Sequence, residues 1–205
     1  MTQTTTSSFL PTLTQAAIAL QNNSKSRPKA KAVVKALLQA EKATKQQRII
    51  YPVESLIGDW RLGFTAPRQA HFQGDVAIGR GFYLPQKIAP AQISFHPQEQ
   101  DLQISNQIQF GMLLFKLTGP ARYVGKKNLV AFDFTWMQLC LFNRTALSSK
   151  FGSGKDFAAQ SVGKLPFFAF FLVTEDLIAA RGRGGGLALW VNSRCVAQAS
   201  TLLAF

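Results

Sequence analysis

The chain has 205 residues and carries 23 Lys and Arg side chains against 10 Asp and Glu, a formal net charge of +13. Hydrophobic residues make up 47% and charged residues 16%, which excludes a disordered chain and indicates one globular domain. No run of about 18 apolar residues occurs, so the sequence predicts no transmembrane helix. We expect so basic a chain to bind an anionic partner, either lipid headgroups or nucleic acid.

The pattern of apolar residues changes near Tyr51 from helical to β. Residues 1–8 are rich in hydroxyl side chains and predict a disordered start, and residues 9–50 predict a basic helical segment. Residues 51–205 predict one mainly β domain, because turn signals recur between short alternating apolar runs. Such a meander indicates an up-and-down antiparallel barrel or a sandwich, and we favour the barrel because closure leaves no strand edge exposed.

Within the β domain, residues 144–164 lack apolar periodicity and contain several Gly and Ser, so we predict a long loop there. Gly152 to Lys155 is not interpreted as a phosphate-binding loop. Asp156 stands where that motif requires Ser or Thr.

The helical segment concentrates the positive charge of the chain. Eight basic residues lie between positions 25 and 48, against one acid, Glu41. A lysine face beside a short apolar stripe suits contact with anionic lipid. Nucleic acid is disfavoured as a partner because the aromatic residues lie in apolar rows rather than among exposed Lys and Arg residues. The residues predicted to bind an anionic surface are Lys25, Arg27, Lys29, Lys31, Lys35, Lys42, Lys45 and Arg48.

The 17 Phe residues suggest either a filled barrel or a pocket for an apolar molecule. The interior of an eight-stranded barrel is just filled by side chains or just holds one small ligand, and the sequence leaves both open. If a ligand binds inside, the aromatic residues of the in-facing rows are its predicted contacts. They are Phe110, Phe115, Phe132, Phe134 and Trp136.

We predict no catalytic site and no metal site. His71 and His96 have no Cys or carboxylate at metal-ligand spacing, and the adjacent acids Glu175 and Asp176 fall at a predicted turn. Cys140 lies in an apolar run and is interpreted as a small buried hydrophobe. Whether Cys140 or Cys195 responds to redox change stays open.

Two segments resemble a known family. Gly58-Asp-Trp60-Arg-Leu-Gly-Phe-Thr65 is similar to the W-x-L-x-(Y/F)-T opening of the plastid lipid-associated protein/fibrillin family, and also to the start of lipocalin-type barrels. Residues 174–191 resemble that family's closing D-x-L-R-I-x-R-G-x-x-G-x-L-F-V signature. The resemblance implies a lipocalin-like barrel, no catalysis, and binding of a lipid, a carotenoid or a quinone. It also implies a role in photoprotection or membrane maintenance.

The resemblance further implies a peripheral position at thylakoid membranes or plastid lipid bodies. Because the start of the sequence shows no clear transit peptide, we expect a cyanobacterial protein on the cytoplasmic side of the thylakoid, or a stromal or thylakoid protein if the source is eukaryotic. The first and last strands of a closed barrel are neighbours. We therefore predict that Arg181 or Arg183 stacks on Trp60 and closes one barrel end.

Two alternatives stay open at this point. In the first, the barrel is a filled scaffold, and the protein is an assembly or interaction factor that binds photosystem or antenna proteins. In the second, the chain is a chromophore lyase, which would need a titratable group inside the barrel. Asp133 has the opposite parity to Phe132 and Phe134, which argues against the lyase.

Overall fold

The computed structural model describes residues 9–98, 101–142, 144–151 and 156–193. The predicted disordered start, the Gly152 to Lys155 segment and Cys195 lie outside these residues. Two helices, α1 Leu10–Gln21 and α2 Ala30–Gln47, precede the strands. The strands are β1 Gly58–Ala66, β2 His71–Gln73, β3 Val76–Ile78, β4 Phe82–Tyr83, β5 Ala91–Gln98, β6 Asp101–Phe110, β7 Leu113–Val124, β8 Leu129–Phe132, β9 Trp136–Leu141, β10 Arg144–Lys150, β11 Phe167–Val173, β12 Leu177–Gly182 and β13 Leu187–Asn192.

Eight of these strands close into an antiparallel barrel. The order around the barrel is β1, β5, β6, β7, β8, β11, β12 and β13, and β13 pairs back onto β1. Neighbours in this order follow one another in the chain, apart from the insertions β2–β4 and β9–β10, so the barrel is up-and-down. The predicted fold class, a lipocalin-like barrel preceded by a helical segment, is confirmed.

One end of the barrel is sealed by its own chain. The short 3-10 turn Val53–Leu56 lies across this end, and the indole Nε1 of Trp60 donates a 2.8 Å hydrogen bond to the carbonyl oxygen of Leu56. The buried Asn128 side chain donates to the carbonyl oxygen of Ile49 at 2.6 Å. We call this the closed end. The opposite end, where β1 finishes and β5 begins, is the open end.

Two apolar cores meet at the barrel wall. The inner core fills the barrel, and none of its 13 buried side chains is more than 6% exposed. The outer core lies between the wall and the helices, where the α2 stripe packs against β11, β12 and β13. Thr44 Oγ1 fixes α2 to β11 by donating a 2.6 Å hydrogen bond to the carbonyl oxygen of Phe171.

Toward the open end, the wall divides and an arm forms. The second half of β7 pairs with β8, but its first half, Leu113 to Thr118, pairs with β9, which in turn pairs with β10. A Cβ at Gly119 would collide with the carbonyl oxygen of Asp133 at this division, so only glycine fits there. We define the arm as residues 107–118, 136–142 and 144–150.

The predicted loop over residues 144–164 is wrong in its first part, because residues 144–150 form β10. All seven residues of β10 are exposed, so the strand has no buried face to impose an apolar alternation on its sequence. The described residues that follow, 156–164, are irregular except for the 3-10 turn Val162–Lys164.

Candidate binding surface on the arm

The barrel interior is packed with aromatic rings rather than hollow. The Phe132 ring stacks on Phe168 with 5.2 Å between centroids, and Phe168 meets Trp190 edge-on at 5.4 Å. Phe95 and Phe170 form another edge-on pair at 5.9 Å. Cavities of about 340 to 660 Å³ lie beside α1 and α2, outside the barrel. Of the two possibilities that the sequence left open, the packing of these rings supports the filled interior.

The arm carries an apolar face that continues the lining of the barrel. Residues paired directly across antiparallel strands project from the same face of the sheet. Leu102 and Ile104 line the interior, and the register is unbroken from them to the end of β6, so every second residue of β6, β7 and β9 belongs to this inner face. The apolar residues on it are Ile108, Phe110, Leu113, Phe115, Leu117, Met137, Leu139, Leu141 and, from β10, Leu147.

The described residues cover this inner face only in part: Phe110, Leu113, Leu141 and Leu147 are exposed, and its other five apolar side chains are half-buried. None of its nine side chains is buried, and Phe110 and Leu147 are 53% and 50% exposed. The outer face of the arm is more polar: its residues include Gln107, Lys116 and Gln138, with Leu114, Trp136 and Cys140 among them. A contiguous apolar patch of this kind marks a site for an apolar partner, because monomeric proteins rarely leave one exposed.

The structure divides the five predicted ligand contacts among three places. Phe110 and Phe115 lie on the inner face of the arm, and Phe132 and Phe134 belong to the inner core. Trp136 does not face the ligand side, because it lies on the outer face, where the Lys150 ammonium is 6.0 Å from its ring centroid. The five residues therefore do not line one pocket.

A one-residue bulge explains why Trp136 was misplaced. Phe132 pairs with Ala121, and Trp136 pairs with Thr118, so β8 and β9 advance four residues while β7 advances three. One extra residue reverses the alternation of side chains beyond it. Met137 and Leu139 consequently take the inward positions that strict alternation assigns to Trp136.

The predicted closure of the barrel by Arg181 or Arg183 over Trp60 is wrong. The first and last strands are neighbours, but Trp60 pairs with Asn192, whereas Arg181 lies level with Leu187 and Ala66 near the open end. The Arg181 guanidinium instead forms a two-point ion pair with Glu41 of α2, at 2.9 and 2.6 Å. Arg183 donates to the carbonyl oxygen of Lys164 at 2.6 Å.

The ion pair is the main electrostatic link between α2 and the barrel. Burial acts to raise the pKa of the Glu41 carboxyl, but the hydrogen bonds and charges of Arg181 and Lys45 outweigh it and lower the pKa below the ordinary value of 4.5. The Arg181 side chain also donates to the carbonyl oxygen of Gly185, in the glycine-rich turn between β12 and β13. This turn therefore has a structural role, which is to fasten the helix.

The predicted basic surface follows α2 rather than one end of the barrel. Its apolar stripe, Val33, Val34, Leu37 and Leu38, is at most 4% exposed and packs on the wall, so it is not available to lipid. Arg27 stacks over the Tyr83 ring at 4.4 Å, and Lys45 pairs with Glu41. Lys25 and Lys29 lie with Arg27 in the connection between α1 and α2, and Lys31, Lys35, Lys42 and Arg48 extend along α2 to its end.

The described residues contain no group of three or more His, Cys, Asp or Glu side chains that could hold a metal ion. His96 lies 3.7 Å from Asp59 on the barrel surface, and Cys140 lies 3.8 Å from the hydroxyl of Thr145 on the arm. Cys140 is partly exposed, so its interpretation as a buried hydrophobe is wrong. Over the same part of the chain, no helix is long and apolar enough to span a membrane.

Comparison of the chain with protein-family models found no match, and comparison with curated proteins found none. The resemblance of the opening and closing motifs to the plastid lipid-associated protein/fibrillin family therefore stays a prediction. What the site can do has to be argued from its own geometry.

Sequence reasoning missed most of the inner face, although the signal was present. Leu113, Phe115 and Leu117 alternate along one strand, and Met137, Leu139 and Leu141 along another. The first run was predicted to be a barrel strand, and the second was interpreted only as the apolar surroundings of Cys140. Such a pattern does not distinguish a strand that packs against the barrel interior from one that presents its apolar face to a binding partner, since both have one apolar face.

Proposed function

We propose that this chain is a non-enzymatic binding protein that holds an elongated apolar molecule, such as a lipid chain, a carotenoid or a quinone tail, on the inner face of its arm. The observation that supports the proposal is the run of nine apolar side chains that continues the barrel lining and includes no buried residue. The filled barrel acts as the scaffold that positions this face.

The dimensions of the face suit a long ligand rather than a compact one. Six residues of β9 span roughly 20 Å, at about 3.4 Å per residue. Over that length, Met137, Leu139 and Leu141 lie opposite Leu117, Phe115 and Leu113. A chain of isoprene or methylene units laid along the two strands could contact all six side chains. No donor or acceptor is provided by these six, so the contact would select for apolarity.

The resemblance in sequence supports the same class of ligand. Its family is associated with lipids, carotenoids and quinones, and a peripheral position on a thylakoid membrane belongs to the same proposal. The geometry of the arm supports an elongated apolar ligand, whereas its identity as a lipid, carotenoid or quinone, the location, and the role in photoprotection or membrane maintenance rest on the resemblance alone.

The test uses the fluorescence of cis-parinaric acid, a polyene fatty acid, titrated into the purified protein without vesicles. We expect saturable binding that the double variant Phe115→Gln, Leu139→Gln weakens at least about tenfold, because these paired residues form the centre of the inner face. Leu114→Gln, on the outer face, is the matched control and should change the affinity less than about twofold. Equal affinity in all three proteins would exclude the inner face as the binding site.

A second function, an interaction factor that binds a photosynthetic protein complex, is favoured by the filled interior. The packed inner core is what a purely structural scaffold requires, since such a scaffold holds no ligand inside its barrel. Purification of the chain from a photosynthetic host, followed by solvent extraction and mass spectrometry, separates the two functions. A stoichiometric apolar molecule supports the binding protein. A ligand-free chain that co-purifies with photosystem or antenna subunits supports the interaction factor.

A further inference from the structure

Exposed apolar side chains gather at one end of the molecule. Of the 13 large hydrophobic residues that are exposed in the described part of the chain, nine lie on the arm or around the open end. At the closed end only one described residue of this kind occurs, Ile50. The nine are Phe82, Ile88, Phe110, Met112, Leu113, Leu141, Phe142, Leu147 and Phe151.

The most exposed of the arm residues form one tip. The turn between β6 and β7 and the turn between β9 and β10 lie side by side, because the amide of Phe142 donates a 3.1 Å hydrogen bond to the carbonyl oxygen of Met112. Met112 and Phe142 are 62% and 64% exposed, and Phe110 and Leu141 flank them. The bond between the turns holds these side chains together as one apolar projection.

Charged side chains are also divided unevenly between the closed end and the open end. Acids predominate at the closed end, where Lys126, Lys127 and Arg48 are the nearby bases. Bases predominate at the open end, where the loops contribute Asp75, Asp133 and Asp156 as acids over the described residues. The acids of the closed end are Glu54, Asp59, Asp101, Glu175 and Asp176. The bases of the open end are Lys25, Arg27, Lys29, Arg68, Arg80, Lys87, Arg144 and Arg183.

We propose that the open end docks on an anionic lipid bilayer, with Met112 and Phe142 of the arm tip inserted among the acyl chains and the bases of the open end against the headgroups. An apolar projection that extends from a basic end of the molecule matches the order of a bilayer surface, where charge lies outside hydrocarbon. The acids of the closed end then point away from the negative surface. This inference rests on the peripheral membrane position proposed above and names its docking surface, and it is independent of ligand binding on the inner face.

The charged face of α2 is the competing surface, and it has no exposed large apolar residue. Its Val33, Val34, Leu37 and Leu38 are buried on the barrel. Charge alone holds a protein only loosely at a bilayer, whereas inserted apolar residues add the hydrophobic contribution. The combination of charge with exposed apolar side chains selects the open end.

The test is flotation of the full chain with vesicles of phosphatidylcholine, with or without phosphatidylglycerol. We expect binding to the anionic vesicles, little binding to the neutral ones, and weaker binding as salt is raised. The variant Met112→Ser, Phe142→Asn should lower the partition coefficient about tenfold. Asn is chosen because Phe142 has a left-handed backbone, with φ of 50°, that Asn adopts readily.

Matched controls locate the docking surface. Ile50→Ser removes an equally exposed side chain at the closed end, where Ile50 is 60% exposed, and should leave binding unchanged. Neutralising Arg80 and Lys87 should weaken binding more than neutralising Lys126 and Lys127. Unchanged melting temperatures would show that each variant folds.

Four results would overturn the proposal. Three are the absence of wild-type binding to anionic vesicles, equal binding by the tip variant, and loss of binding on Lys35→Gln, Lys42→Gln with the tip intact. The fourth is a wild-type dimer that the tip variant does not form, which would assign the tip to contact with a second copy of the chain. The cis-parinaric acid titration without vesicles is independent of each of these outcomes, so the two proposals fail separately.

Discussion

Replacing Phe95 by Ala is expected to lower the free energy of unfolding by about 3–5 kcal/mol. The Phe95 side chain is fully buried at the centre of the inner core, and its ring meets Phe170 edge-on. Because the neighbours are held by β-sheet hydrogen bonds, they can close only part of the space that the ring leaves. Chemical denaturation followed by far-UV circular dichroism measures the loss.

The matched control for this substitution is Phe110→Ala, at a ring that is 53% exposed near the arm tip. It should change the free energy of unfolding by less than about 0.5 kcal/mol. The cavity made by Phe95→Ala should also bind a small apolar solute such as benzene, which would raise the melting temperature of that variant alone. A loss below about 1 kcal/mol would contradict a packed interior.

Replacing Glu41 by Ala is expected to lower the free energy of unfolding by about 2–4 kcal/mol. The substitution leaves the Arg181 guanidinium, whose side chain is 25% exposed, without the carboxylate that receives two of its hydrogen bonds. Lys45→Ala removes the other partner of Glu41, but Lys45 is 72% exposed and its loss should cost less than about 0.5 kcal/mol. Equal losses in the two variants would contradict a special role for Arg181.

The same ion pair predicts how stability changes with pH. Because folding lowers the pKa of Glu41, its contribution is complete above the unfolded-state pKa, near 4.5, and is lost as the pH falls through the lower folded-state value. Glu41→Gln removes this titration. We expect the stability difference between the wild type and this variant to be constant above about pH 5.5 and to shrink below about pH 4.5. Denaturation curves measured across that range check the prediction.

The sequence was sufficient for the barrel because its strands away from the helices, such as β6, have one face in water and one in a core. Leu102 and Ile104 alternate with polar residues, and such alternation reports burial directly. Strand β10 could not be found in this way, since neither of its faces is buried. Trp136 was misplaced because a single-residue bulge leaves no mark on the alternating pattern but reverses the side chains that follow it.

The partner of Arg181 was also beyond prediction from the sequence. Closure of the barrel makes β1 and β13 neighbours, but neighbouring strands do not fix which residues lie level with one another. Arg181 and Glu41 are 140 positions apart in the chain, and their contact depends on how α2 crosses the wall. Helix packing on a sheet depends on the whole interface. The motif around Arg181 therefore does not reveal that its partner is a glutamate on α2.

A filled barrel and a partly exposed arm together separate stability from binding in this molecule. The inner core and the Glu41–Arg181 pair stabilise the barrel and α2, and neither is exposed enough to bind a partner. The inner face of the arm contributes little to any core and is free to bind. Substitutions on it should therefore change binding with little effect on folding, the reverse of substitutions such as Phe95→Ala.

The most direct test of the central proposal is photo-crosslinking of the purified chain with a diazirine-bearing fatty acid, followed by peptide mapping. We predict saturable labels on Leu113 to Leu117 of β7 and on Met137 to Leu141 of β9, which the double variant Phe115→Gln, Leu139→Gln abolishes. Labels on Ile93, Phe95 or Phe170 would place the ligand inside the barrel, and the absence of saturable labelling would show that the arm does not hold an apolar molecule of this kind. Either result would contradict the account.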